Sequence, residues 1–326
     1  LKRFSQSIKI VFFLLLGAGL AVFSLRDLSW SSFSGYLRDT DKIYLVLALI
    51  IGILSHVSRS MRWQIALKAT GHHLTLANSF LAVMIGYFAN LVPPRLGEFV
   101  RCALVDRYGK IPTQTSLGTV VVERMIDSLM LGIIFFGNFF WQYDLLYSYS
   151  LDNIFRPIGA KLSFQTVFVL LVVLFVILFF FVRGRKRNSK SEKSNKWNKI
   201  VKGFTDGLKS ILTLEKPWMY IIHTLFIWTC YVAMIKVCFL AFPSLSTLSF
   251  EACLSVFILG TIGMIVTPGG TGAYPALVAG ALALYGVNQE AGNAFGWIVW
   301  GTQTFLFIIF GILSLILLPI INRNGI

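Results

Sequence analysis

Six long, predominantly apolar runs, at residues 8–25, 43–58, 117–141, 163–182, 218–242 and 294–321, limit what this chain can fold into. About 20 helical residues, rising 1.5 Å each, cross the ~30 Å hydrocarbon layer of a membrane. The runs are long enough, or nearly so, and they are continuous. A porin-type barrel, whose strands alternate, is excluded. Composition agrees, with 56% hydrophobic and 13% charged residues, where soluble chains carry about 25% charged. Spans and short loops consume the 326 residues, leaving no room in them for a soluble catalytic domain. The expected fold class is an all-α polytopic membrane protein.

The first run follows Lys2, Arg3 and Lys9 as a signal peptide would. It is followed by Arg26, Asp27 and Trp30 rather than a small-residue cleavage site, so an uncleaved span is expected. Of the net charge of +15, the stretch 183–202 supplies a large part, with Arg and Lys interrupted by one acid, Glu192. Flanked by spans, it marks the cytoplasmic side and can touch anionic headgroups, and nucleic acid is not expected as a partner. Cys102, Cys230, Cys238 and Cys253 have no CxxC spacing and read as packing residues. His56, His72, His73 and His223 lack paired-ligand spacing, so neither a metal nor a cofactor is expected. No GxSxG elbow is present, and an enzyme is not expected.

Two further apolar stretches end at prolines: 76–92 at Pro93-Pro94, and 253–266 before Pro268-Gly269-Gly270. The basic residues decide how they sit. Lys2 and Arg3 hold the N-terminus inside, and Arg59, Arg62 and Lys68 hold the end of the second span inside. The stretch 76–106 must then enter and leave on the cytoplasmic side, as a re-entrant hairpin. By the same parity 253–285 is a hairpin from the opposite side, and the chain ends inside. The expected architecture is about six full spans plus two re-entrant helical hairpins in an inverted repeat, with halves 1–161 and 162–326. Broken helices meeting near the midplane are a recurrent transporter design. Eight plain crossings with kinked helices remain the alternative.

Charges cluster at the first tip, where Arg95, Glu98 and Arg101 follow at three-residue spacing around Gly97. On a helix they share a face, and Glu98 can pair with either arginine. Ionised groups at membrane depth cost roughly 2.5–3.5 kcal/mol each on insertion scales, which points to a polar cavity. A helix lying in the headgroups is the alternative. Glu123, Arg124 and Asp127 form a second charge group one turn long, suited either to the same cavity or to a structural salt-bridge network. The uncharged second tip, Pro268-Gly269-Gly270-Thr271-Gly272, can present backbone N–H groups to an anion, or pack closely between helices. Arg59, Arg62 and Trp63 are expected to anchor a helix end at the membrane interface.

Taken in order, Arg59-x-x-Arg62-Trp63, the tip 93–101, Glu123-Arg124-x-x-Asp127 and the PGGTG tip resemble the lysylphosphatidylglycerol synthase transmembrane, or flippase-like, family. The resemblance spans nearly the whole chain. In that family the multiple peptide resistance factor joins a lipid-flipping membrane region to a soluble aminoacyl transferase, and this chain looks like the membrane region alone. The resemblance implies translocation of a phospholipid or polyprenyl-linked lipid, the lipid being the partner and substrate. It also implies a polar cavity formed by Arg95, Gly97, Glu98, Arg101, Glu123, Arg124 and Asp127. Family members commonly carry a glutamate after the second tip, where this chain has Pro275. Glu98 is then the only tip acid, and a mechanism needing two symmetric carboxylates is in doubt.

The function expected is therefore lipid flipping in a bacterial cytoplasmic (inner) membrane, with Arg95 and Arg101 on the phosphate and the residues Pro268, Gly269, Gly270 and Gly272 meeting the headgroup. Two other readings remain, the first using the same cavity and the second docking through residues 183–202. One is transport of a small soluble anion; the other is a non-transporting partner of a lipid-modifying or glycan-assembly enzyme. A homo-oligomer is compatible with each.

Overall fold

A computed structural model describes residues 15–26, 28–91, 96–143 and 214–323. Every regular element among them is helical. The first half contains α1 (Leu15–Leu25), α2 (Trp30–Asp39), α3 (Lys42–Lys68), α4 (Leu76–Ala89), α5 (Leu96–Gly109) and α6 (Thr113–Trp141). The second contains α7 (Pro217–Ala241), α8 (Phe250–Val266), a 3₁₀ turn at Pro268–Gly270, α9 (Ala273–Ala283) and α10 (Gln289–Ile321). Short polar side chains start several of them. Ser29, Asp41, Thr75, Ser249 and Asn288 each accept a hydrogen bond from a first-turn amide. These bonds satisfy N–H groups that a helix leaves unpaired at its start.

Among the described residues three helices, α3, α7 and α10, are long and apolar enough to cross a membrane. Their outer faces carry Ile43, Val46, Ile50 and Leu54 on α3, and Ile221, Ile222 and Leu225 on α7. On α10 they carry Phe305, Ile312, Ile316 and Ile320, all exposed. So much exposed aliphatic surface suits hydrocarbon and not water. Helix α6 is as long but carries Glu123, Arg124 and Asp127 in its first half.

The apolar-run reading needs adjustment in two places. Helix α3 runs on to Lys68, past the expected end at residue 58, because Arg59 and Arg62 are buried and paired instead of ending the span. The short helix α2 was not expected, since its ten residues are too few and too mixed to register as an apolar run. The expected span at 163–182, the basic stretch 183–202, the tip residues Pro93, Pro94 and Arg95, and residues 8–14 of the first span lie outside the described residues.

Residues 139–206 make a separate unit, in which the described part ends α6 with ring contacts from Phe139 to Phe140 and Tyr143. In the other unit α3 lies along α7, α4 pairs with α5, α8 pairs with α9, and α10 packs on α4 and α9. The main core joins α7 to α10. Phe239 packs tilted and Phe242 edge-on against Phe295, with centroids 5.4 and 5.1 Å apart, around Val256, Val278 and Leu282. A second core holds Trp63 and Leu67 of α3, Ala82 and Val83 of α4, Cys102 and Val105 of α5, and Val120 of α6. All four cysteines are buried and free.

One polar contact crosses between α4 and the end of α10. Asn78 and Asn322 exchange two amide hydrogen bonds, of 2.9 and 2.8 Å. Asn78→Ala leaves the Asn322 side chain with only the Leu318 carbonyl as partner, and is expected to cost about 1–3 kcal/mol. Adding Asn322→Ala should cost less than a second such loss. Thermal unfolding of the single and double variants in detergent checks both statements.

A candidate anion site in a buried ion network

Helical spacing brings the charges together. On α3, His56, Arg59 and Arg62 follow every third residue, with Trp63 beside them; on α6, Thr119, Glu123 and Asp127 follow every fourth. Each set therefore shares a helix face. Helix α5 adds Glu98 and Arg101, and α7 adds Thr224 and Tyr231.

Glu123 is the hub. Its Oε1 accepts from Arg59 and, at 2.8 Å, from Arg124 Nη2; its Oε2 accepts from Arg101 Nη2 at 2.9 Å. Asp127 accepts from Arg62 at 2.9 Å and from Arg59 at 3.1 Å. The arginines are braced from behind. Arg59 donates to the Tyr231 hydroxyl at 3.0 Å, and Arg62 to Thr224 Oγ1 at 3.1 Å. The Arg101 guanidinium lies 4.7 Å from the Trp63 ring centroid, and Trp63 Nε1 donates to Thr119 Oγ1 at 3.0 Å.

Arg59, Arg62 and Trp63 were expected at the membrane interface; the structure buries them in this network, because carboxylates on α6 offset their charge. Arg101 is likewise committed to Glu123 rather than to Glu98. Glu98 instead faces Arg124, with Oε1 3.5 Å from Nε.

Among the described residues four guanidiniums meet three carboxylates, a surplus of one positive charge. Exposure locates it. The Arg124 side chain is 42% exposed and that of Glu98 27%, while Arg59, Arg62 and Arg101 are closed off. Arg124 touches Glu98, Glu123 and Asp127 and shares Glu123 Oε1 with Arg59. It is the most exposed cation of the network, and so the one a further anion can reach.

A cavity of about 520 Å³ opens beside this group. Of the residues expected to bind a headgroup, it is lined by Glu98, Arg124, Asp127 and Gly269; Arg59 lines it as well. Glu123, Arg101 and Gly97 stand behind it, buried. Sequence reasoning missed His56, Tyr87, Ser128, Trp228, Tyr231 and Phe307 on its wall. The Tyr87 and Phe307 rings stack at 4.9 Å with His56 against Tyr87 at 4.6 Å. Only the register of His56 with Arg59 was a usable signal for them.

The second tip reaches the cavity through Thr267 and Gly269 alone among its residues 267–272. The Gly269 carbonyl accepts from Trp300 Nε1 at 2.8 Å. The amides of Gly270, Thr271 and Ala273 bond to carbonyls within the tip, so they are not offered to an anion as expected. Gly272, at φ +71°, packs against the backbone of α1: a Cβ there would sit 2.5 Å from the Gly17 carbonyl oxygen. Close packing, the alternative for this tip, describes Pro268, Gly270 and Gly272.

Comparison with known proteins agrees with the membrane reading. The family described as the lysylphosphatidylglycerol synthase TM region matches residues 8–311. A UPF0104 membrane protein of Methanocaldococcus jannaschii is 36% identical over 95 residues, 28% of this chain and 28% of its own length. A UPF0104 membrane protein of Methanothermobacter thermautotrophicus is 23% identical over 285 residues, covering 79% of this chain and 80% of that one. No solved structure matches significantly. With nearly its whole length matched, and with apolar helices fit to span a bilayer, the chain belongs to the lysylphosphatidylglycerol synthase transmembrane family of membrane proteins.

Proposed function

We propose that this protein moves a lipid across the membrane by passing its headgroup through the cavity beside the ion network, while the acyl chains stay in hydrocarbon. The observation that carries the reading is the exposed guanidinium of Arg124 on the wall of a cavity of about 520 Å³, which the glycine tip also lines through Gly269. Arg124 takes the phosphate, Arg being suited to paired contacts with its oxygens. Glu98 and Asp127 hold Arg124 when the site is empty. Arg101 positions Glu123. The reading is one of transport, with no bond made or broken.

Helix lengths support two re-entrant hairpins. At 1.5 Å per residue, the 14 residues of α4 and of α5 reach about 21 Å, and the 11 of α9 about 17 Å. These are short of the ~30 Å hydrocarbon layer. In the inverted repeat we infer, α3 corresponds to α7, the pair α4–α5 to α8–α9, and α6 to α10. The contacts suit that exchange. Helix α10 packs on α4 of the other half, and α6 bonds to α8 through Asn138 and Ser255 at 3.0 Å. Rocking of one half against the other would alternate access to the cavity. We place both termini in the cytoplasm and the protein in the cytoplasmic membrane, on the distribution of Lys and Arg.

Lipid scrambling in proteoliposomes tests the reading. Arg124→Gln is expected to slow headgroup translocation roughly tenfold or more, the equivalent of one charged hydrogen bond. Glu98→Gln, which loosens the competing anion, should alter the rate without loss of folded protein. Wild-type rates in both variants, or saturable uptake of a soluble anion with no lipid movement, would remove the proposal.

A further inference from the structure

A second cavity, of about 410 Å³, lies where the end of α3 meets the start of α7 and shares no lining residue with the first. Its polar groups are predominantly cationic or donors. Lys68 and Lys216 bring two ammonium groups, and His73 and His223 bring two imidazoles. The Nδ1 of His223 is already engaged with Ser58 Oγ at 2.9 Å, which fixes the ring. One carboxylate is present. Glu215 bonds to Lys68 Nζ at 2.5 Å, and that hydrogen bond and charge hold its carboxyl below the usual range.

Met61, Ile65 and Met219 supply an apolar wall. Beside it, Trp218, Ile222 and Leu225 of α7 are exposed. A cationic rim over an apolar wall, at one end of two membrane-crossing helices, fits one kind of molecule. A small soluble anion would leave the apolar wall wet, and a neutral lipid would leave Lys216 without a counter-charge.

We propose that this cavity binds a resident anionic phospholipid, its phosphodiester between Lys216 and Lys68 and its acyl chain along Met61, Ile65 and Met219. The lipid is a structural ligand joining α3 to α7 and does not depend on transport through the larger cavity. Glu215 is the competing anion: it holds Lys68 when the lipid is absent and yields it when the phosphate arrives. That role separates the proposal from a simple surface salt bridge, because it makes the carboxylate an opponent of binding.

The experiment is native mass spectrometry of the whole chain in detergent, titrated with short-chain phosphatidylglycerol. Lys68→Ala/Lys216→Ala should lose one bound lipid, with affinity falling roughly tenfold or more. Glu215→Gln should bind more tightly than wild type, a gain that misfolding cannot imitate. Arg124→Gln, in the other cavity, should leave this binding event in place, so failure here and failure of the transport reading are distinguishable. Unchanged binding in the double lysine variant, or weaker binding in Glu215→Gln, overturns the proposal. Displacement of the lipid by inorganic phosphate at equal concentration overturns the assignment to a lipid and gives the site to a soluble anion.

Discussion

Glu123→Ala is expected to abolish the folded protein. The substitution withdraws both oxygens that hold Arg101, Arg59 and Arg124, and leaves four guanidiniums with two carboxylates. None of the four can escape by losing its proton, since arginine stays charged in proteins. Removing one partner of a buried pair typically costs 3–5 kcal/mol. Whole domains are stable by only about 5–15 kcal/mol. Glu123→Gln should rescue little, because its amide nitrogen is a donor facing donors. Combining Glu123→Gln with Arg101→Gln returns the surplus to one positive charge, and should recover part of the loss through the coupling of neighbouring sites. Size-exclusion profiles and thermal midpoints in detergent report the effect. Wild-type yield and midpoint for Glu123→Ala would mean that the network carries little of the stability.

This dependence on Glu123 was only half legible in the sequence. The pairing of Arg124 with Asp127 follows from i,i+3 spacing, and the structure has their closest atoms 3.5 Å apart. That Glu98 could bond Arg101 follows equally well from spacing, yet Arg101 turns to Glu123 across 22 positions of sequence. Spacing reports which groups share a face of one helix; it is silent on which neighbouring helix that face meets. The same limit hid Arg59 and Arg62. Beside Trp63 at the end of an apolar run they looked like interface anchors, and nothing within α3 announces the two carboxylates of α6 that make their burial affordable. Long apolar periodicity was the more durable signal. The boundaries of α7 and α10 lie within a few residues of the runs at 218–242 and 294–321, since burial in hydrocarbon depends on the run itself and on no partner.

The second tip shows the opposite failure. Its glycines and prolines correctly announced a broken helix, because Pro cannot supply the amide that a helix needs. Glycine content could not tell a backbone open to a ligand from one pressed against a helix. Gly272 has both a positive φ and the α1 backbone against it, and α1 is distant in sequence. The tip brings no charge to the cavity, whose charged wall is Arg59, Glu98, Arg124 and Asp127, with Arg124 the exposed cation. On the proposed reading, that asymmetry makes Arg124 the point where a headgroup first engages.

The geometry of that charged wall depends on one glycine, and Gly97→Ala is expected to stop the proposed translocation. A Cβ on Gly97 would collide with the carbonyl oxygen of Gly86 on α4, lying 2.6 Å from the Gly86 carbonyl carbon and 2.8 Å from Asn90 Oδ1. Two of these atoms are helix backbone and cannot rotate aside. The third already accepts the Gly97 amide at 2.7 Å. Helix α5 must therefore move off α4, carrying with it Glu98, which faces Arg124, and Arg101, which holds Glu123 at 2.9 Å. Overpacking of this kind usually costs 1–3 kcal/mol, and here the displaced groups are the charged ones. Folded yield should fall moderately and lipid scrambling should fall to background. Gly280 of α9 provides the control, because a Cβ there meets nothing within 4 Å. Gly280→Ala should be neutral or stabilising by up to about 1 kcal/mol, the ordinary helix preference for alanine. Equal activity in the two variants would show that α4 and α5 do not cross at Gly97, and with that the ion network would lose the support that keeps Arg124 at the cavity.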